Sequence, residues 1–332
     1  MNSQRGMTMV ELLVSLAIVM VIIGSATTAY LKLLRTYKTH GRLAESYMAN
    51  MTGLELLRYD IEMAGFGLPQ SLGTVASYSE AVSASLASNK YNPLTQNDAP
   101  STVPRAFRHL NDTGLNSSDI LTIKSTAASS NTASRKWSTI TYSSSSSKYI
   151  VKMWGSSLTS LDSTMDFVNN DQVIVLDNNY QLMVDSSLNW VFNFATGYFS
   201  NASVTTFPHP TASNNKYVWY VYGLDTNSAH RMPFNRVDYY LDSVAGDAPS
   251  SCASNTYTLY RSTVSQDNGG LSKSPLIDCV RNFQVAFGLG TNLDGTVNSW
   301  VNTLPSTMSA SDILAQVRAV PTQEPLALQV SL

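Results

Sequence analysis

The sequence predicts an α+β protein: a long N-terminal α-helix, membrane-spanning in its first half, packed on a mostly antiparallel β-sheet globular head. Three observations predict it. Residues Met7 to Tyr30 are apolar except for Glu11; a helical apolar period continues to about Ala64; beyond that, short alternating segments replace it. The chain divides accordingly into residues 1–6, an apolar helix 7–30, its amphipathic continuation 31–65, and a β-rich head 66–332.

From Met7 to Tyr30 a helix rises about 35 Å at 1.5 Å per residue, enough for a hydrocarbon core of about 30 Å. A secretory signal peptide is the first alternative, but its apolar region is shorter and ends at an A-x-A-like site, which SATTAY matches poorly. A plain signal anchor is the second, with Glu11 snorkelling toward the headgroups. Orientation is contested. Lys32, Arg35, Lys38 and Arg42 follow the run and only Arg5 precedes it, so the positive-inside rule alone puts the C-terminal part in the cytoplasm.

Past Tyr30, the residues Leu34, Tyr37, Gly41, Ala44, Met48, Met51, Leu54 and Ile61 recur at spacings of three, four or seven and form one stripe for packing. Gly65, Gly67 and Pro69 supply the stop. A coiled-coil stalk is disfavoured because the stripe is too broken for a sustained heptad. Residues 92–119 read as loop, with Pro93, Pro100 and Pro104. Strands are expected at 120–124, 138–142, 148–154, 172–176, 190–194, 216–222, 236–242, 257–261 and 279–288. In the 236–242 segment Val237, Tyr239 and Leu241 are expected to face a core and Arg236, Asp238 and Asp242 to face out. The segment after Ser309 reads equally as helix or strand.

Composition narrows the class. Charged residues are 13% of the 332, about half the usual share, and the net charge is -2. Hydroxyl and amide residues fill the gap, a surface common in exported proteins; no basic excess points to nucleic acid. Cys252 and Cys279 lie outside any CxxC or zinc spacing. In a reducing compartment they are two unrelated thiols; in an exported chain they form one disulfide. His40, His109, His209 and His230 are scattered and read as surface or turn residues. No GxSxG, phosphate-binding loop or dinucleotide fingerprint occurs, so the expectation is a non-enzyme without cofactor. Asn292 and Asp294 sit in a glycine-bounded turn slightly like a calcium loop, but without its clustered carboxylates, and a hairpin turn is favoured over a metal site.

The stretch G-M-T-M-V-E-L, Gly6 to Leu12, resembles the class III signal of type IV pilins and type II secretion pseudopilins. The resemblance implies a leader of residues 1–6, cleavage after Gly6, and Met7 as the new, N-methylated N-terminus, although Met7 departs from the usual Phe. It also implies a role for Glu11, which would pair with the cationic Met7 amine of a neighbouring subunit and set the filament register. Where major pilins often carry proline, this chain has Thr28. AGFGLP (Ala64 to Pro69), RVDYYL, LYRS and PLIDCVRNFQVAFGLGTNLDG extend the likeness to PilW-type minor pilins, related to the J-type minor pseudopilins. The implied function is that of a minor type IV pilin, a structural subunit that primes or caps pilus assembly and helps present a tip adhesin. Its implied partners are the prepilin peptidase, other minor and major pilins, the inner-membrane assembly platform and a tip adhesin. The implied location is the inner membrane with the head in the periplasm, then the pilus at the cell surface. A type II secretion pseudopilin is the near alternative, and a membrane-anchored surface enzyme or sugar-binding module the distant one.

Overall fold

The computed structural model describes residues 8–75, 77–82, 91–144, 147–199, 204–205, 207–210, 217–226, 229–243, 252–289, 297, 299–304 and 326–331. The chain forms two compact units, Met1–Thr52 and Gly53–Leu332. Helix α1 runs from Met9–Glu62, so its last turns belong to the second unit.

In the first unit the apolar stretch is bare. Val10, Leu13, Ile18, Val21 and Ile23 are all more than half exposed. Residues Met9–Gly41 are long and apolar enough to cross a membrane, with a mean hydropathy of 2.4 in their best window and none of that window buried. Hydroxyl groups inside this stretch bond back to their own helix. Thr27 Oγ1 donates to the Ile23 carbonyl at 2.7 Å. Thr28 Oγ1 donates to the Gly24 and Ser25 carbonyls at 2.8 and 2.9 Å, and the helix runs unbroken through Thr28, which keeps the backbone N–H that a proline would lack. Tyr37, Met48 and Met51 of the expected packing stripe are exposed. Among the described residues, the first buried position of the helix is Gly53, a shorter packing face than the one read from the sequence.

In the second unit Gly53 is where the helix meets a strand. A Cβ there would run into the Leu276 carbonyl oxygen, so only glycine permits the approach. Leu57 and Ala64 are buried in the main core, and Asp60 accepts hydrogen bonds from Tyr239 Oη and from Arg261 Nε at 2.7 Å. Gly65 and Gly67, both at positive φ, end the helical path as expected.

Among the described residues thirteen strands follow: β1 Phe107–Leu110, β2 Ile120–Ser125, β3 Trp137–Ser143, β4 Lys148–Val151, β5 Gln172–Leu176, β6 Phe192–Asn193, β7 Trp219–Asp225, β8 Asn235–Asp242, β9 Tyr257–Val264, β10 Leu271–Val280, β11 Gln284–Leu289, β12 Ser299–Val301 and β13 Leu326–Ser331. They form sheets ordered β1-β2-β8-β9-β10, β4-β3-β7-β5-β6 and β12-β11-β13, and every ladder between them is antiparallel. Strand β5 serves two cores by alternation: Ile174 and Leu176 join the main cluster, while Val173 and Val175 join a second built on Phe167, Phe192, Phe194 and Phe207.

Three expectations are corrected. Phe107–Leu110, read as loop because of the prolines before it, is a strand paired with β2. The run 279–288 is broken into the end of β10 and the whole of β11, with Cys279 at φ 60 at the break. In β8 all eight residues are buried, including Arg236, Asp238 and Asp242. Of the tail after Ser309, left open between helix and strand, SDILAQVRAV (311–320) lies outside the described residues and Leu326–Ser331 is a strand.

Candidate functional site

The start of α1 is built by two residues. Thr8 precedes the first helical residue, and its hydroxyl and backbone N–H both donate to Glu11 Oε2, at 2.9 and 3.0 Å. The Glu11 N–H lies 3.4 Å from Thr8 Oγ1, a long return bond. This is the reciprocal arrangement of a capping box, T-x-x-E, which satisfies N–H groups that have no partner within the helix. T-M-V-E at positions 8–11 carries the capping-box pattern in sequence, a signal beyond the apolar run that drew the reading to Glu11. Glu11 therefore has a partner within its own chain, next to an apolar groove lined by Val10, Val14 and Ile18. Gly6 and Met7 lie outside the described residues, as do Asn292 and Asp294.

Cys252 and Cys279 form a disulfide, with Cα atoms 5.1 Å apart and a sequence separation of 27. The bridge ties the segment before β9 to the end of β10. Among the four histidines, His109 is not a surface residue: its side chain is buried with Nε2 3.0 Å from Asp119 Oδ2, an ion-pair distance without hydrogen-bond alignment. His209 stacks on Tyr149, and His40 is exposed.

The largest departure from the sequence reading is a buried ionic network on the second face of β2 and β8. Lys124 Nζ lies 2.8 Å from Glu80 Oε2 and 2.6 Å from Asp98 Oδ2. Arg236 reaches Glu80 at 3.0 Å and Asp238 at 2.9 Å, and it donates to Asn97 Oδ1 and the Pro93 carbonyl at 2.6 and 2.8 Å. Tyr91 and Thr122 donate to Asp238, and Arg105 pairs with Asp98 at 2.6 Å. The side chains of Lys124, Glu80, Asp98, Arg236 and Asp238 are all fully enclosed. Burial alone would lower the Arg236 pKa, but Asp238, Tyr91 and Glu80 outweigh it and hold the guanidinium above its ordinary value. Strand alternation places Arg236 and Asp238 on one face, and that much was legible. The covering segment between Tyr78 and Arg105, which supplies Glu80, Tyr91 and Asp98, was not. Physically the network clamps that segment to the sheet.

Two family models match the chain. The prokaryotic N-terminal methylation motif matches residues 1–27, and the type IV pilus-assembly protein W model, PilW, matches residues 238–322. Together the two matches support a type IV minor pilin-like protein. No curated protein and no solved structure matches it. The methylation motif takes in Glu11 and most of the exposed apolar helix, the pairing of signal and apolar span that a membrane-anchored pilin carries. The PilW match begins inside β8 and takes in both cysteines, so the disulfide belongs to the matched part of the head. AGFGLP falls outside both matches. Membership in pilus assembly gives the pilin-like chain a pilus-related role among pilins and pilus machinery.

Proposed function

We propose that the chain is a minor type IV pilin, a structural rather than enzymatic subunit that primes or caps pilus assembly and helps present a tip adhesin. One observation carries the reading. A class III signal leads directly into a helix whose apolar surface is wholly uncovered. Such a surface needs a non-aqueous surrounding, first lipid and then the helices of neighbouring subunits. In this reading the leader is removed after Gly6 in the inner membrane, with the head in the periplasm, and Met7 is methylated. Glu11 then exchanges or extends its Thr8 contacts to meet the Met7 amine of the next subunit. An acid in hydrocarbon is tolerated where it is paired, so this pairing favours the assembled register over slipped ones. The description of the head match as a pilus-assembly protein favours a pilus over a type II secretion pseudopilus.

The test is the intact mass of the chain from cells with an active prepilin peptidase, together with its presence in sheared filaments. A chain beginning at Met7 and present in pili is expected. A chain that keeps residues 1–6, or one absent from every filament preparation, overturns the proposal.

A further inference from the structure

The head carries a polar pocket that the assembly reading does not use. Its cavity of about 360 Å³ is lined by Gln172, Asn189, Trp190, Asn193 and His230, with Leu188 and Val191, a volume within the range of small-ligand sites. Gln172 of β5 and Asn193 of β6 are register partners. Their side chains meet only through a long bond from Gln172 Nε2 to Asn193 Oδ1, at 3.4 Å. Gln172 Oε1 and His230 Nε2 are both buried and have no hydrogen-bond partner. Buried polar atoms without partners are rare in folded proteins, and both of these belong to residues that line the pocket.

The turn that carries Asn189 into the lining is preset. Asp185 Oδ1 accepts the N–H groups of Ser187 and Asn189 at 2.8 and 2.9 Å, and its Oδ2 accepts Asn189 Nδ2 at 2.9 Å. The turn closes with a backbone bond from Asp185 N to the Asn189 carbonyl at 3.0 Å. Asn189 Oδ1 accepts no hydrogen bond among the described residues. Trp190, partly buried, packs against the main core and brings an indole to the same lining.

The chemistry of this lining selects its occupant. Among the described residues no charged side chain lines the pocket. Burial lowers the His230 pKa against the opposing pull of Asp225 and Asp267, so its imidazole is neutral at neutral pH. A charged ligand would find no counter-charge here. A wholly apolar one would leave Gln172 Oε1 and His230 Nε2 unpaired. A ligand with adjacent hydroxyls, each both donor and acceptor, matches a set of amides and one imidazole, and an apolar C–H face matches the indole. We propose that this pocket binds one uncharged pyranose unit of a glycan.

The proposal does not depend on filament assembly, and the two fail separately. The test uses the full chain solubilised in detergent, titrated with glucose, galactose and N-acetylglucosamine, with glucuronate, N-acetylneuraminate and short uncharged peptides as controls. Binding is read by saturation-transfer NMR and by tryptophan fluorescence. Saturable binding of a neutral pyranose is expected, weakened about tenfold by Gln172→Leu and also weakened by Trp190→Phe, with the melting temperature of the Gln172 variant unchanged. The proposal is overturned if no neutral sugar saturates, if Gln172→Leu binds as well as the parent, or if only charged sugars or peptides bind.

Discussion

The two ends of this molecule invert the usual distribution of polarity, in opposite directions. In α1, Val21 is 72% and Ile23 59% exposed; in the head, Lys124 and Arg236 are 0% exposed. The helix presents apolar surface and relies on an outside medium to cover it. The head encloses charge and must supply from its own residues the solvation that water would give. The first arrangement needs little specific geometry, since any low-dielectric surrounding suffices. The second needs each ion to find its partners, and the short contacts between Lys124, Glu80, Asp98, Arg236 and Asp238 are that requirement met.

The comparison can be broken most sharply in the head. Arg236→Met leaves Glu80 and Asp238 buried with lost partners, and destabilisation of about 3–5 kcal/mol is expected in urea unfolding of the head. A change under about 1 kcal/mol, within the range of exposed pairs, would mean the network is solvated. Removing the disulfide with Cys252→Ala and Cys279→Ala together reopens a loop with a separation of 27 residues and should cost about 3.5 kcal/mol, measured the same way. In the helix, Val19→Lys should reduce membrane insertion by about 2.5–3.5 kcal/mol, read by carbonate extraction; unchanged insertion would show that the span is not centred there. Thr8→Ala removes half of the capping box, with an expected loss of about 1 kcal/mol in local helix stability, detected by amide exchange at the first turn.

Acid probes the network more gently. Burial pushes the Asp98 carboxyl up, but the Lys124 charge, the Arg105 N–H and the Arg105 charge together hold it below its usual value. A carboxylate favoured by the fold adds stability that is fully present above its unfolded pKa, near 4. That stability is lost as pH falls through the lower folded value. Urea midpoints should therefore drop below about pH 4, and Asp98→Asn should flatten that drop.

Much of the helix was legible because its signals are local. A continuous apolar run, a period near 3.6 and glycines at the end report on neighbours in sequence. Strands β2, β5 and β8 were found for the same reason. The misreadings share a different cause. Arg236, Asp238 and Asp242 were expected to face water because alternation names two faces without saying what covers each. The segment that brings Glu80 and Asp98 over the outer face lies more than a hundred residues upstream of β8. The candidate assembly site was partly legible: Glu11 was singled out, while its partner Thr8, three residues away, was overlooked. The pocket beside Trp190 had no signal in sequence, since Gln172, Asn193 and His230 are brought together by folding.

By itself the sequence determined the apolar helix, the acid near its start, the class III signal and the alternating strands, all features carried by residues within a few positions of each other. Tertiary structure alone decided that the charges of β8 are interior, that the first buried position of the helix among the described residues is Gly53, and that Gln172, Asn193 and His230 line one cavity, whereas the pairing of Cys252 with Cys279 bears out the disulfide expected of an exported chain. The physical reason is the same in each case. Burial and pairing depend on which distant segment lies opposite, and periodicity along the chain carries no information about that.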